Sequence, residues 1–238
     1  MILVGKTWKG RVRSRNEDVY WTRPDLQLCG VADGMGGLDA GHIAARMAAD
    51  EVTQRIRDLG SDNMDRESLE TIIKDANREI HARARSLPDV RAMGATLVML
   101  QLVADLGFIC HAGDSRAYLL RGEEFTQMTR DHNVINEKID QGEITEEEAE
   151  TSPVDNRVLQ CIGPSQVVKP TITEFEVQPK DLFMLCSDGL SGFVTNDALS
   201  LVMHEYRSNF HLLLDKLIDA AGDHGSTDNI TVVLAEIN

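Results

Sequence analysis

The sequence lacks any long apolar run. Its first residues, MILVGKTWKGRVR, reach Gly5 after only a short apolar stretch. A secretory signal needs an apolar core of about 7 to 15 residues, and a membrane-spanning helix needs about 20. We therefore expect neither a secretory signal nor a membrane span, and we predict a cytoplasmic protein.

Cysteine is scarce and never closely paired. The chain has four cysteines, Cys29, Cys110, Cys161 and Cys186, and no two of them form a Cys-x-x-Cys pair. Three lie in apolar, strand-like runs, where a free cysteine behaves as a small buried hydrophobe. The pattern predicts a reducing compartment, no disulfide and no zinc site.

The sequence also has few positively charged residues relative to acidic ones. The 238 residues include 24 lysines and arginines against 39 acidic residues, which gives a formal net charge of −15. A protein that binds the nucleic-acid backbone normally presents a basic face, and an acidic membrane surface repels an acidic chain. We therefore predict that neither nucleic acid nor a membrane is a partner.

What is present is an ordinary globular composition, with 42% hydrophobic residues and no repeat, low-complexity tract or linker. Apolar residues recur at helical spacing over 41–60 and 65–86, which predicts a helical hairpin. Gly60 is positioned to end the first helix, and Asp65 or Ser68 to cap the second. Aliphatic runs broken by turn signals over 94–129 predict the hairpins of an antiparallel sheet.

The rest of the chain repeats these elements. Strands are expected at KPTITEFEVQ, DLFMLCSDG and NITVVLAEI, and helices near 196–204 and 209–221. Residues 131–157 are acidic and poor in aliphatics, which indicates a surface excursion. The order predicts one α+β domain over 1–238, a four-layer α/β/β/α sandwich in which two antiparallel sheets are flanked by pairs of helices.

Acidic residues mark the ends of the predicted strands. In VADGMGG, residues 31–37, an apolar run meets Asp33 and then three glycines. Alone, this stretch predicts only a turn. The pattern recurs, however, at Glu17 and Asp18, Asp114, Asp188 and Asp228.

A two-sheet sandwich can bring such strand ends together. Clustered carboxylates repel one another unless a cation neutralises them, and oxygen-only donors suit Mg²⁺, Mn²⁺ or Ca²⁺. Glycines beside Asp33 would keep Cβ atoms away from an ion, and the Gly34 carbonyl could itself be a ligand.

Three arginines, Arg11, Arg13 and Arg15, precede Glu17. On an alternating strand they would share one face, and arginine binds phosphate oxygens in a bidentate manner. They would then form a phosphate clamp beside the metal site. The alternative is a solvated basic edge that offsets the local acid.

The motifs RVRSRNED, VADGMGG, GAT, GDSRAYL, SDGL and TDNIT follow one another in this order. From about residue 5 onward the chain resembles the type-2C family of metal-dependent Ser/Thr protein phosphatases, in its short bacterial single-domain form. The resemblance implies two antiparallel sheets flanked by helices, with two Mn²⁺ or Mg²⁺ ions between the sheets. It also implies that residues 131–157 form the variable flap beside the active site.

The resemblance also implies roles for individual residues. Asp33 would bridge both metals, with the carbonyl of Gly34 as a further ligand. Asp188 and Asp228 would hold the first metal. The matching positions for the second metal and its waters are Glu17 and Asp18.

Two more roles follow by position. Asp114 matches a residue that helps to bind a third, weaker metal together with the Asp188 position, and Arg13 matches the phosphate-binding arginine. The implied reaction is in-line attack of a metal-bridging hydroxide on phosphoserine or phosphothreonine in proteins, with no phosphoenzyme. The implied partners are phosphorylated proteins and a cognate Ser/Thr kinase, and nothing demands more than a monomer.

One position departs from the family pattern. Bacterial relatives commonly carry a histidine after DGMGG, considered to protonate the leaving group, whereas this chain has Leu38. His42 would share a helical face with position 38 and could act from one turn away. It could equally be an exposed helix histidine.

Two other functions compete with a phosphatase. The fold could serve as a catalytically weak regulatory or phosphoprotein-binding module, which the missing histidine favours slightly and the intact acids oppose. It could also be another metal-dependent phosphoesterase such as a nuclease, which the net charge of −15 opposes.

Overall fold

Two five-stranded antiparallel sheets form the centre of the molecule in a computed structural model that describes residues 1–36, 40–87, 93–151 and 157–238. The first sheet has the order β1 (Ile2–Trp8), β12 (Ile230–Glu236), β11 (Leu182–Cys186), β8 (Arg116–Arg121) and β9 (Glu124–Gln127). The second has the order β10 (Thr171–Glu176), β7 (Leu106–Ala112), β6 (Leu97–Val103), β3 (Leu28–Ala32) and β2 (Val19–Arg23). Two short strands, β4 (Gly34–Met35) and β5 (Gly94–Ala95), pair separately.

Helices cover the outer face of each sheet. Helices α1 (Ala40–Leu59) and α2 (Arg66–Arg85) pack on the second sheet, and α6 (Asn196–Tyr206) and α7 (Phe210–Asp223) pack on the first. Three shorter helices are α3 (Val134–Asp140), α4 (Glu146–Thr151) and α5 (Asp188–Ser191). The expected four-layer sandwich is confirmed.

Side-chain alternation explains why both faces of each sheet are buried. In β12, Val233 and Ala235 pack between the two sheets, whereas Val232 and Leu234 pack against α6 and α7. Successive residues of a strand point to opposite faces. A central strand with helices on one side and a sheet on the other therefore needs apolar residues at every position.

The helical hairpin begins and ends as its sequence indicates. Gly60 follows α1 with a φ of +85°, and its N–H donates to the Ile56 carbonyl at 3.0 Å. Asp65 caps α2 by accepting a hydrogen bond from the Ser68 N–H at 2.8 Å. Both signals lie within a few residues of the boundary they set, which is why local sequence was sufficient.

Three of the four cysteines are core residues. Cys29, Cys110 and Cys186 are fully buried in strands, as expected, and Cys161 is half-buried. Burial raises the pKa of Cys29 and of Cys186 to about 12, because the thiolate would lose its hydration. These two thiols are therefore packing groups rather than nucleophiles.

The N-terminal region departs from the sequence analysis in two ways. No strand is named there over residues 2–8, yet these residues form an edge strand of the first sheet through pairing with β12. The stretch with Arg11, Arg13 and Arg15 is an irregular loop between β1 and β2, so these arginines do not alternate on a strand face. The loop's carbonyls at Lys9 and Arg15 accept hydrogen bonds from a side chain instead of a strand partner.

The flap region contains α3 and α4, and its residues 152–156 lie outside the described part of the chain, as does Leu38. Within the described ranges, no helix combines the length and the apolar character needed to cross a membrane.

Candidate active site

The acids at the strand ends converge. Asp33 follows β3 and Asp114 follows β7 in the second sheet, while Asp188 follows β11 and Asp228 precedes β12 in the first. Together with Arg13, Glu17 and Gly34 they line one cavity of about 290 Å³. The two sheets thus contribute equally to the cavity that the spacing of the acids predicted.

Asp18 lies behind this cavity rather than in its lining. Its side chain is 4% exposed, and its Oδ2 accepts a hydrogen bond from the Ser187 hydroxyl at 2.8 Å. The other oxygen, Oδ1, has no hydrogen-bond partner among the described residues, and the same holds for Oδ1 of Asp188. A buried carboxylate oxygen without a partner is costly unless a cation or a proton satisfies it.

Burial and crowding weaken the acidity of the cluster. The pKa of Asp33 lies well above its ordinary range, first because it is withdrawn from water and then because Asp18 and Asp188 are charged nearby. Burial raises the pKa of Asp18 to about 6 and that of Asp114 to about 7. A divalent cation would reverse these shifts by favouring the ionised carboxylates.

The donor set fits a hard divalent cation. It consists of carboxylate and carbonyl oxygens, and two of those carboxylate oxygens are buried without partners. No three His, Cys, Asp or Glu side chains of the described residues already surround a common point as a metal site. The assignment of each ligand therefore stays a prediction.

Arg13 lies at the mouth of the cavity. Its Nη2 donates to Oδ2 of Asp228 at 2.5 Å, while about half of the Arg13 side chain remains exposed. The guanidinium is thus held by an acid of the cluster and still faces solvent. Neither Arg11 nor Arg15 lines the cavity, so the expected three-arginine clamp reduces to one arginine.

Gly34 is required by close packing. A Cβ on Gly34 would lie 2.6 Å from the carbonyl oxygen of Glu17 and closer still to the carbonyl of Gly41 at the start of α1. From the sequence alone, this glycine is explained by the space that an ion needs. The contacts show instead that the backbone of Gly34 passes too close to other backbone for a Cβ to fit. The same contact requires Gly41, because a Cβ there would lie 2.7 Å from the carbonyl carbon of Gly34.

Sequence reasoning also missed Asn229, which organises the arginine loop. Its Oδ1 accepts the Glu17 N–H at 2.9 Å, and its Nδ2 donates to the carbonyls of Lys9 at 2.7 Å and Arg15 at 2.9 Å. One amide thereby fastens the loop to the strand end that carries Asp228. Its place in TDNIT beside that acid was the available signal.

Hydroxyl groups form further supports for the acids. The Ser187 hydroxyl that donates to Asp18 also accepts the Thr231 N–H at 3.0 Å. The Thr96 hydroxyl accepts the Asp33 N–H at 3.0 Å. These neutral groups fix the acids without neutralising their charge.

The structure gives His42 no contact with the cavity. His42 is exposed on α1, and no histidine of the described residues lines the cavity. Its role as a proton donor stays a prediction, and position 38 lies outside the described residues.

Residues 12–234 match the family of protein phosphatase 2C. The chain therefore belongs to the protein phosphatase 2C family. Its fold agrees with this assignment, because a solved structure of the catalytic domain of serine threonine protein phosphatase PstP, in complex with two manganese ions, superposes with a TM-score of 0.81. The two share 31% sequence identity, and the match covers 99% of this chain and 97% of that one.

Named relatives are bacterial serine/threonine phosphatases. The serine/threonine protein phosphatase PstP of Mycobacterium tuberculosis (strain H37Rv) is 34% identical over 232 residues, which are 96% of this chain. This chain spans only 43% of that protein's length. The serine/threonine phosphatase stp of Listeria monocytogenes serovar 1/2a is 33% identical over 238 residues, covering 97% of this chain and 94% of that protein.

Proposed function

We propose that this protein is a metal-dependent serine/threonine phosphatase that hydrolyses phosphoserine and phosphothreonine in proteins. One observation carries the proposal: acids from four strand ends of two sheets line a single cavity with one arginine at its mouth. The family match and the named relatives support the same activity, as against a regulatory module or a nuclease. The whole chain would act as one domain, with residues 131–157 as its flap.

The proposed metal sites use the acids described above. Asp33 would serve both of two ions with the Gly34 carbonyl beside it, Asp188 and Asp228 would hold one ion, and Glu17 and Asp18 would hold the other. The PstP structure with two manganese ions supports this number and Mn²⁺ or Mg²⁺ as the metal. Asp114, which lines the same cavity, would help to bind a third and weaker ion.

When bound, such ions lower the pKa of coordinated water and neutralise charge on a phosphoryl group. The chain's own residues bind and orient the substrate. Arg13 is suited to the phosphoryl oxygens because its guanidinium is fixed on one side by Asp228 and exposed on the other. Asn229 holds the backbone on either side of Arg13, which preorganises that contact.

The leaving serine oxygen needs a proton. Among the described residues that line the cavity, only Arg13 and the carboxyl groups with a raised pKa could donate one. His42 is the remaining candidate from the sequence. We infer that water in the open cavity supplies this proton, because His42 is exposed on α1 and does not line the cavity.

Turnover of a phosphoserine peptide tests the proposal. The protein should release phosphate with Mn²⁺ and stop when the ion is chelated. Asp33→Ala should lose nearly all turnover, because it removes the proposed shared ligand. Asp219→Ala, an exposed acid on α7, is the matched control and should keep full activity. Substantial Mn²⁺-dependent activity in Asp33→Ala would refute the two-metal assignment.

The physiological substrates are proposed only by class. Phosphoproteins, including those modified by a cognate Ser/Thr kinase, fit the activity of the named relatives. We expect the protein to act as a monomer in the cytoplasm.

A further inference from the structure

A second cavity, of about 440 Å³, adjoins the proposed active site. It lies between α3 with the loop before it and residues 159–160, and we call it the flap cavity. Its lining includes Arg130, His132, Asn136, Glu137, Asp140 and Leu159. Val158 lines the catalytic cavity, and its neighbour Leu159 lines the flap cavity. The two cavities are therefore separated by one segment of backbone.

That dividing segment is held in place by main-chain hydrogen bonds. The Leu159 N–H donates to the His132 carbonyl at 2.7 Å, and the His132 N–H donates to the Gly113 carbonyl at 2.9 Å. Gly113 directly precedes Asp114 of the catalytic cavity. The wall is thus connected to the active site by fixed backbone, which limits the ordering cost of binding against it.

The acidic side chains that line the flap cavity differ in whether they form an ion pair. Arg130 donates to Asp140 at 2.8 Å, and Asp131 is paired with Arg116 at 2.7 Å. Glu137 is exposed and forms no ion pair with a lysine or arginine of the described residues. One unmatched carboxylate therefore faces this cavity.

An apolar surface lies in the same cavity. Leu159 is 43% exposed although its backbone is fixed. Lysine and arginine side chains bury an aliphatic stem against apolar surface while the charged head stays at a polar edge. Leu159 and Glu137 supply the surface and the opposite charge that such a side chain requires.

We propose that the flap cavity is a subsite for a lysine or arginine side chain of the phosphoprotein substrate, close in sequence to the phosphorylated residue. An extended peptide advances about 3.3 Å per residue, and the shared wall is one segment thick, so a residue near the phosphoresidue can reach across it. The inference rests on the proposed function and specifies the substrate class of that site.

The experiment compares phosphoserine peptides that differ only in carrying lysine or glutamine at each of the positions flanking the phosphoserine. With Mn²⁺, the unmodified protein should show a kcat/KM higher by about three- to tenfold for lysine at one or more positions. Glu137→Gln should abolish that preference, and Glu137→Lys should favour a peptide with glutamate there. The matched control is Glu143→Gln, an exposed flap acid outside the cavity lining, which should keep the lysine preference.

Hydrolysis of p-nitrophenyl phosphate distinguishes failure of the subsite from failure of the proposed phosphatase activity. All variants should hydrolyse p-nitrophenyl phosphate at the unmodified rate, because it does not reach the flap cavity. No lysine preference at any position, or an undiminished preference in Glu137→Gln, would overturn the subsite while leaving the phosphatase in place. Absence of Mn²⁺-dependent turnover of p-nitrophenyl phosphate by the unmodified protein would overturn the proposed function and the subsite with it.

Discussion

Replacing Asn229 by alanine should damage both stability and substrate binding. The Asn229 side chain is 5% exposed and makes three hydrogen bonds to backbone groups of the arginine loop. Alanine removes all three bonds and leaves the carbonyls of Lys9 and Arg15 and the Glu17 N–H without this partner. The loop that carries Arg13 would then be free of its attachment to β12.

The expected magnitude follows from the number of bonds. At about 1 kcal/mol for each hydrogen bond, with more where a buried group stays unsatisfied, the free energy of unfolding should fall by about 2 to 4 kcal/mol. For a chain of 238 residues this lowers the melting temperature by about 5 to 15 °C. Misplacement of Arg13 should also lower kcat/KM by about 10- to 100-fold.

Two further variants separate loss of positioning from general instability. Asn229→Asp keeps the shape of the side chain and the oxygen that accepts the Glu17 N–H. Its second oxygen, however, would face the carbonyls of Lys9 and Arg15 and add negative charge beside Asp228. This variant should therefore be at least as damaging as alanine. Asn63→Ala removes a hydrogen bond of 3.0 Å to the Leu59 carbonyl, distant from the cavity, and should affect only stability.

The assay is phosphate release from a phosphoserine peptide with Mn²⁺, measured well below each variant's melting temperature. The positioning role requires kcat/KM to fall in both Asn229 variants and to stay constant in Asn63→Ala. If Asn229→Asp retains the unmodified kcat/KM, the amide donors are not what places the arginine loop, and the reasoning fails.

Four other outcomes are expected. Arg13→Ala should lower kcat/KM by about ten- to a thousandfold, mainly through KM, with little change in Mn²⁺ affinity; calorimetry showing that Mn²⁺ binding collapses would contradict this. Ser187→Ala should weaken Mn²⁺ affinity, followed by electron paramagnetic resonance, because the buried carboxylate of Asp18 loses its donor; unchanged affinity would exclude that support. The pKa of Asp18 is raised to about 6 and that of Asp114 to about 7 in the folded, metal-free protein, so between about pH 4 and 8 folding of that protein takes up protons. Its melting temperature should therefore fall as pH rises from about 4 to 8, and a rise over this range would refute the reasoning. His42→Ala should leave both phosphoserine and p-nitrophenyl phosphate rates unchanged, since His42 is exposed outside the cavity; a loss confined to phosphoserine would instead identify it as the proton donor.

Features set by neighbouring residues could be predicted from the sequence. Apolar runs of alternating or continuous type specify strands, and an acid directly after such a run must lie at a sheet edge. Asp33 and Asp188 illustrate this, since each follows a buried strand. The caps at Gly60 and Asp65 are local in the same sense. The four-layer order then follows from which faces must be covered.

Features set by distant partners could not be predicted in this way. Residues 2–8 are only partly buried and become a strand because β12 offers an edge to pair with. The stretch around Arg13 has the alternation of a strand, yet it forms a loop because the Asn229 amide, more than 200 residues away, satisfies its carbonyls. Tertiary contacts of this kind override local patterning. The flap cavity likewise depends on how α3 packs, which no motif describes.

The charge balance of the cavity explains why its supports are neutral. Among the described residues that line it, Arg13 is the one basic side chain, and four aspartates and Glu17 are acidic. Ser187, Thr96 and Asn229 orient the acids or the loop beside them without supplying positive charge. A lysine or arginine in the place of Ser187 would form a buried ion pair with Asp18 and compete with a divalent cation for it, unlike Arg13, which pairs with Asp228 while about half exposed. Neutral donors hold the acids in position and leave their charge available, which is the property that the proposed metal-dependent phosphatase activity requires of this site.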